Sequence, residues 1–280
     1  MSKPIIKSKK ILFDGNGAPR LVRMGVYVPR VAQKAQPGQF VIVMVSDVGE
    51  RVPLTVVDTD ADQGTVDIIF QEAGMSTKLL GKKEVGDSIE AFLGPLGHPT
   101  DVKKYGTVCL VAGGVGIAEM YPVAKALKEA GNDVSMIIGS RTKDLLFLES
   151  ELKAVVDRLL VATDDGSKGT HGFVTDVLTE RLKEAQFDKV FTVGPVPMMQ
   201  AVAAVTKPHK IPTMASLNTL MVDGTGMCGS CRVTVGGEVK FACVDGPEFD
   251  AQLVDWDEIK NRNAAYGEQE GHVCRLEGVS

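Results

Sequence analysis

Apolar positions in the first hundred residues fall in short runs, at 21–28, 40–45, 53–57, 65–70 and 88–93. Turn-forming residues separate them: Pro37-Gly38, Asp47-Val48-Gly49, Asp62-Gln63-Gly64 and Gly86-Asp87. Several short strands at this spacing predict a small antiparallel β-barrel over residues 1–102.

The pattern changes at about Tyr105. Residues 107–112 read as a buried strand, and a glycine-rich turn leads into a helix. Ile117, Met120, Val123, Ala124 and Leu127 share one face of that helix, and Gly131 stops it. Pro122 is expected in or near the first turn, where its missing N–H does least harm. Candidate elements then alternate at 134–138, 145–155, 159–163, 174–184, 189–193 and 198–205. Alternation of this kind predicts an α/β domain over 103–215, with a parallel sheet and right-handed crossovers. Residues 216–280 break the pattern with glycine-rich loops around cysteines, and a small cluster-binding segment is expected there.

Composition narrows the function. A net charge of −5 gives no reason to expect nucleic-acid binding. No stretch approaches the roughly 20 apolar residues of a membrane span. Residues 1–13 carry lysines and lack the apolar run of a signal peptide. A reducing cytoplasm is the expected location, and it suits thiolates that hold iron.

The strongest chemical signal is Asp223-Gly-Thr-Gly-Met-Cys228-Gly-Ser-Cys231, with Cys243 following. Plant-type [2Fe–2S] sites use Cys-x4-Cys-x2-Cys and a distant fourth Cys. This chain has that spacing with Asp223 in the first place. The rival is structural zinc, but zinc sites use paired Cys-x2-Cys or Cys/His spacings, and one such pair exists here. Cys274 is an alternative fourth ligand or a free thiol, and Cys109 is expected to be a buried, inert one. The four histidines are scattered, and no nucleophile constellation is present.

At the strand-to-helix junction, Gly113-Gly114-Val115-Gly116-Ile117 fits backbone approach to a pyrophosphate. It departs from G-x-G-x-x-G, because Glu119 takes the third glycine's place. The loops Asp164-Asp165-Gly166 and Gly194-Pro195-Val196-Pro197-Met198-Met199 follow predicted strands at the same carboxyl edge. In the barrel, Arg51-Val52-Pro53-Leu54-Thr55 puts a cation beside a strand. Gly74-Met75-Ser76-Thr77 starts a short helix able to donate to phosphate, and Gly94-Pro95-Leu96-Gly97 forms a turn.

Taken in order, these motifs resemble the ferredoxin-reductase-type electron-transfer subunits. That group includes the dihydroorotate dehydrogenase electron-transfer subunit and the small subunit of NADH-dependent reduced ferredoxin:NADP+ oxidoreductase. Asp223 favours the second branch, since the dihydroorotate branch uses four cysteines. The resemblance implies FAD against Arg51, Pro53, Leu54 and Thr55, with Ile69 and Phe70 beside it. Gly74, Ser76, Thr77 and the Gly94, Pro95, Leu96, Gly97 turn would complete the flavin site. It implies NAD(H) on Gly113, Gly114, Gly116, Ile117, Ser140, Asp164, Gly194, Met198 and Met199, while Arg141 leaves NADP(H) open. The cluster ligands would be Asp223, Cys228, Cys231 and Cys243. The implied partner is a larger subunit with FAD and [4Fe–4S] clusters, in a heterodimer that exchanges electrons with ferredoxin and NADP(H). The alternative partner is an FMN-containing dihydroorotate dehydrogenase.

Overall fold

Two antiparallel sheets build the N-terminal barrel in the computed structural model, which describes residues 3–15 and 18–265. Cys274 and His272 lie outside the described residues. The strands are β1 (Ile5–Phe13), β2 (Leu21–Tyr27), β3 (Phe40–Met44), β4 (Arg51–Thr55), β5 (Asp58–Asp60), β6 (Thr65–Gln71) and β7 (Ala91–Leu96). They order as β1-β2-β6-β5 and β4-β3-β7. Period-2 side chains on β2, β3 and β6 send Val22, Met24, Val26, Val41, Val43, Val66, Ile68 and Phe70 into one core. The short helices α1 (Pro29–Ala32) and α2 (Met75–Gly81) lie between strands. β1 has no counterpart among the predicted strands. Lys7, Lys9 and Lys10 interrupt its apolar pattern, because it pairs at an edge and exposes much of its length.

The middle of the chain alternates as predicted: β8 (Thr107–Gly113), α3 (Gly116–Glu129), β9 (Asp133–Ser140), α4 (Glu149–Val155), β10 (Arg158–Thr163), β11 (Thr170–His171), α5 (Val174–Glu184), β12 (Lys189–Val193), α6 (Val196–Thr206) and β13 (Thr213–Ser216). All pairings among β8 to β13 are parallel, in the order β11-β10-β9-β8-β12-β13. β8 is buried on both faces. Val108, Leu110 and Ala112 pack under α3, while Cys109 and Val111 pack under α5. The strand order reverses beside β8, so the glycine turn after it opens at the switch point. Pro122 sits beyond the first turn of α3, contrary to the sequence expectation. The helix starts at Gly116, and the buried face running from Ile117 to Leu127 holds it together across the proline.

The C-terminal segment contributes β14 (Arg232–Val235), β15 (Glu238–Phe241), β16 (Glu248–Asp250) and α7 (Trp256–Ala264). β16 joins the central sheet antiparallel to β13, pairing Ser216 with Glu248 and Ala215 with Phe249. Its apolar residues share a core with the other two parts: Phe40 and Ile42 from β3, Val196, Met199 and Ala203 from α6, and Cys231, Cys243, Trp256 and Ile259 from the segment. The barrel likewise shares the α3 core through Leu21, Val57 and Ile69.

Candidate functional site

A cleft of about 730 Å3 opens between β4, the start of α2, residues 218–222 and α7. It brings together Arg51, Pro53, Gly74, Ser76 and Thr77. Alternation along β4 puts Arg51, Pro53 and Thr55 on one strand face. Arg51 is exposed and forms no ion pair among the described residues. The Ser76 hydroxyl donates to Glu50 at 2.6 Å. The Thr77 hydroxyl is used within its own helix start: it accepts from the Gly74 N–H at 3.1 Å and donates to the Gly74 carbonyl at 3.0 Å. An open cleft with a free guanidinium and a helix start along one wall suits a bound phosphate-bearing ligand.

A second cleft, of about 560 Å3, lies at the carboxyl ends of β8, β9 and β10. Gly113, Gly114, Ser140, Arg141, Asp164 and Met198 line it, together with Phe147 and Phe173. The Gly114 N–H donates to the Gly139 carbonyl at 3.1 Å, and the Asp164 N–H donates to Ser140 at 3.1 Å, which holds the three loops together. A Cβ on Gly113 would stand 2.5 Å from Met198 Sδ, so the glycine lets that side chain close over the turn. Arg141 is exposed and unpaired among the described residues. The two clefts meet at Gln71, the last residue of β6, which lines both.

Several expected site residues lie elsewhere. Phe70 faces the barrel core, and Ile69 and Ile117 belong to the core under α3. Met199 faces the core shared with the C-terminal segment, one residue from Met198 in the cleft. Gly116 serves packing, since a Cβ there would meet the Val193 carbonyl oxygen at 2.7 Å. Leu54 packs on the barrel core. Gly194 presses on Gly113 behind the cleft, with backbone atoms 3.1 Å from where its Cβ would stand. The Gly94, Pro95, Leu96, Gly97 turn forms a seam with the C-terminal segment. Gln39 donates to the Gly97 carbonyl at 2.8 Å, and the His98 N–H donates to Gly246 at 2.6 Å.

The cysteine loop wraps over that seam. Gly224 has φ +75°, and a Cβ there would stand 2.7 Å from Leu96 Cδ1 and 3.0 Å from Ile42 Cγ1. Cys231 and Cys243 are buried, with their sulfurs 3.2 Å apart and both thiols free. Asp223 and the exposed Cys228 form the outer part of the loop, where the carboxylate accepts from the Thr225 and Cys228 N–H groups at 2.8 Å each. The Thr225 N–H, and after it that of Cys228, holds the Asp223 carboxyl below the usual range. Bonds to Ser230 lower the Cys228 thiol. Burial, then the neighbouring Cys231, pushes Cys243 up to about 12. No three His, Cys, Asp or Glu side chains converge on one ion among the described residues.

Comparison with known proteins places this arrangement. Residues 218–255 match the iron-sulfur cluster binding domain of dihydroorotate dehydrogenase B, and residues 110–204 match the oxidoreductase NAD-binding domain. The Thermotoga maritima homolog of the dihydroorotate dehydrogenase B (NAD+) electron transfer subunit is 50% identical over 95% of this chain and 92% of its own length. The Bacillus caldolyticus electron transfer subunit is 40% identical over 79% and 87%. The chain belongs to the dihydroorotate dehydrogenase B electron-transfer subunit family. It is therefore an NAD(P)H-dependent redox subunit. Among solved structures, one from the NADH-dependent reduced ferredoxin-NADP oxidoreductase of flavin-based electron bifurcation covers 100% of this chain and 99% of its own. It does so at 44% identity and a TM-score of 0.92. Plasmodium falciparum ferredoxin-NADP+ reductase shares the fold at 14% identity, 74% and 90% coverage and a TM-score of 0.60. The family thus combines the ferredoxin-reductase architecture with the C-terminal iron–sulfur segment.

Sequence reasoning missed three residues of this region, Gln71, Asn218 and Arg262, and gave a fourth, Glu119, no role. Gln71 ends an apolar strand and reads as a strand terminus. Asn218, at the cleft, has no motif around it. Arg262 comes from α7, borders the first cleft and donates to the Ser230 carbonyl at 2.8 Å. Glu119 was visible as a departure from the glycine fingerprint. Among the described residues no helix is long and apolar enough to cross a membrane.

Proposed function

We propose that this chain is the small electron-transfer subunit of an electron-bifurcating NADH-dependent reduced ferredoxin:NADP+ oxidoreductase, carrying FAD and a [2Fe–2S] cluster and working in the cytoplasm. The observation that carries the reading is the end-to-end match, at 44% identity, to the structure of that enzyme. Asp223 in the first ligand position supports the same branch.

When bound, FAD takes electrons in pairs from a reduced nicotinamide and yields them singly, and an iron–sulfur cluster carries them one at a time. The residues supply binding and access. Arg51, Pro53 and Thr55 would form the flavin wall, with Gly74 and Ser76 toward the pyrophosphate. Ser76 would exchange Glu50 for a phosphate oxygen as acceptor. Gly113 and Gly114 would bring backbone to the nicotinamide dinucleotide, Arg141 and Ser140 would meet its adenosine end, and Met198 its ring end. Gln71, on both clefts, would mark where the two ligands meet. Ile69, Phe70, Ile117 and Met199 would hold these walls from the core side. Cys228, Cys231, Cys243 and Asp223 would hold the cluster, and no acid–base residue is required. The partner would be a larger subunit with FAD and [4Fe–4S] clusters that exchanges electrons with ferredoxin and NADP(H).

The names of the sequence relatives favour a second reading, the electron-transfer subunit of a dihydroorotate dehydrogenase. Purification of the native complex with metal and flavin analysis separates the two. A partner with [4Fe–4S] clusters supports the first, and an FMN-containing partner replaces it with the second. Bleaching by NADH against NADPH assigns the nucleotide, and NADH is expected to act faster.

A further inference from the structure

Glu119 stands in the first turn of α3, directly after the glycine turn, and its carboxylate touches the other two parts of the molecule. One oxygen accepts from Thr55 Oγ1 on the barrel strand β4 at 3.2 Å. The other accepts from Ser216 Oγ at the end of β13, where the C-terminal segment begins. Ser216 in turn pairs with Glu248 of β16. Glu119 keeps some solvent contact, yet protein surrounds it on nearly every side, and no cation pairs with it among the described residues. A carboxylate in such a place has few stable partners, and both of its partners here are hydroxyls.

This geometry has a chemical consequence at Thr55. A threonine hydroxyl has one proton to donate and lone pairs that accept. While that proton is given to Glu119, Thr55 offers only lone pairs to whatever lies against the Arg51, Pro53, Thr55 face. Without Glu119 the hydroxyl is free to turn, and β4 loses its tie to the root of the cluster segment.

We propose that Glu119 is a positioning residue for the flavin site: by bridging Thr55 and Ser216 it fixes the barrel wall against the cluster segment and sets the direction of the Thr55 hydroxyl. The inference rests on the reading of the β4 face as flavin wall. Glutamine has one oxygen that accepts and one amide that donates, so with its oxygen toward Thr55 and its amide toward Ser216 it keeps both the bridge and the direction of the Thr55 hydroxyl, whereas alanine removes both.

The test is FAD titration of the flavin-depleted chain, followed by the flavin midpoint potential of the reloaded protein. Glu119→Ala is expected to bind FAD about tenfold more weakly, the loss of one well-placed bridge, with a shifted flavin midpoint. Glu119→Gln is expected to bind within about twofold of wild type. Should Glu119→Ala fail to fold, Ser216→Ala removes the bridge from the side away from the β4 face, and the same shift in midpoint is expected. A wild type that binds FAD alongside alanine variants with unchanged affinity and midpoint overturns this inference alone. Equal defects in the alanine and glutamine variants also overturn it, since charge and not bridging would then matter. A wild-type chain that takes up no FAD overturns the flavin reading, and this inference with it.

Discussion

Replacing Glu248 by glutamine should change how the protein's stability responds to pH. Glu248 lies on β16, where the C-terminal segment joins the sheet. Its side chain retains some solvent contact but is surrounded by protein, and its one hydrogen bond among the described residues comes from the Thr100 hydroxyl at 2.6 Å. Burial, opposed by Thr100 and helped by the charge of Glu119, pushes the carboxyl up to about 7 from its ordinary 4.5. Lys189 is the cation that acts on it, but its ammonium group lies 5.0 Å from the Tyr105 ring centroid and makes no ion pair among the described residues. Asp101 and Tyr105 complete its titratable surroundings. Below pH 4.5 both folded and unfolded chains hold this proton, and the residue costs nothing. As pH rises the unfolded chain releases it first, so stability falls until the pH passes about 7 and then levels off. At roughly 1.4 kcal/mol per pH unit the full loss is about 3 kcal/mol. Solvent that still reaches the side chain screens it, leaving about 1–3 kcal/mol. Trp256 is the one tryptophan and belongs to the core shared by the three parts, so its fluorescence follows urea unfolding of this junction. The difference in unfolding free energy between Glu248→Gln and wild type should grow in the variant's favour from about pH 5 to about pH 8. Curves that stay parallel across that range would refute the argument.

Gly224→Ala should lose iron while keeping flavin. The residue has φ +75°, and its new Cβ would press on Leu96 and Ile42, a cost of about 1–3 kcal/mol concentrated in the cluster loop. Iron and flavin content per chain measure it. Gly113→Ala should weaken nicotinamide nucleotide binding on the order of tenfold with flavin binding intact, because its Cβ displaces Met198 into the cleft; nucleotide titration checks this. Asp223→Cys should keep the cluster with a changed midpoint potential, since ligand type and charge set it, whereas Cys231→Ser should lose the cluster. An unchanged midpoint in Asp223→Cys removes Asp223 from the ligand set.

The α/β part was legible because a strand buried on both faces and a helix buried on one leave distinct periods. The positions 174–184 and 189–193 agree with α5 and β12 at both ends. β1 was hidden because its lysines serve an exposed edge, and Pro122 because a well-packed helix tolerates one lost hydrogen bond. At the sites, motifs located the loops but could not say which side chains enter the clefts. Met198 and Met199 are neighbours in one motif, and the helical turn sends one to the second cleft and the other to the core. Gln71 and Arg262 reach their places only through tertiary packing, which leaves no local signal.

Glu119 carries the same lesson from the opposite direction, since its departure from the glycine fingerprint reads as a weak nucleotide motif until the fold is known. In the ordinary fingerprint the third glycine permits close packing of helix against strand. Here the first turn of α3 faces β4 of the barrel and the end of β13, and a carboxylate reaches both. That contact has a counterpart below it: among the described residues the C-terminal segment packs into a core shared with the barrel and α6 through Phe40, Ile42 and Met199. A chain that passes single electrons between separately bound groups must hold those groups at fixed separations. Independent domains on flexible linkers would let them vary. The shared core, the β13–β16 pairing and the contact of Gly224 with Leu96 instead join the two clefts and the cysteine loop into one packed unit, so that the relative placement of the three sites is set by folding itself.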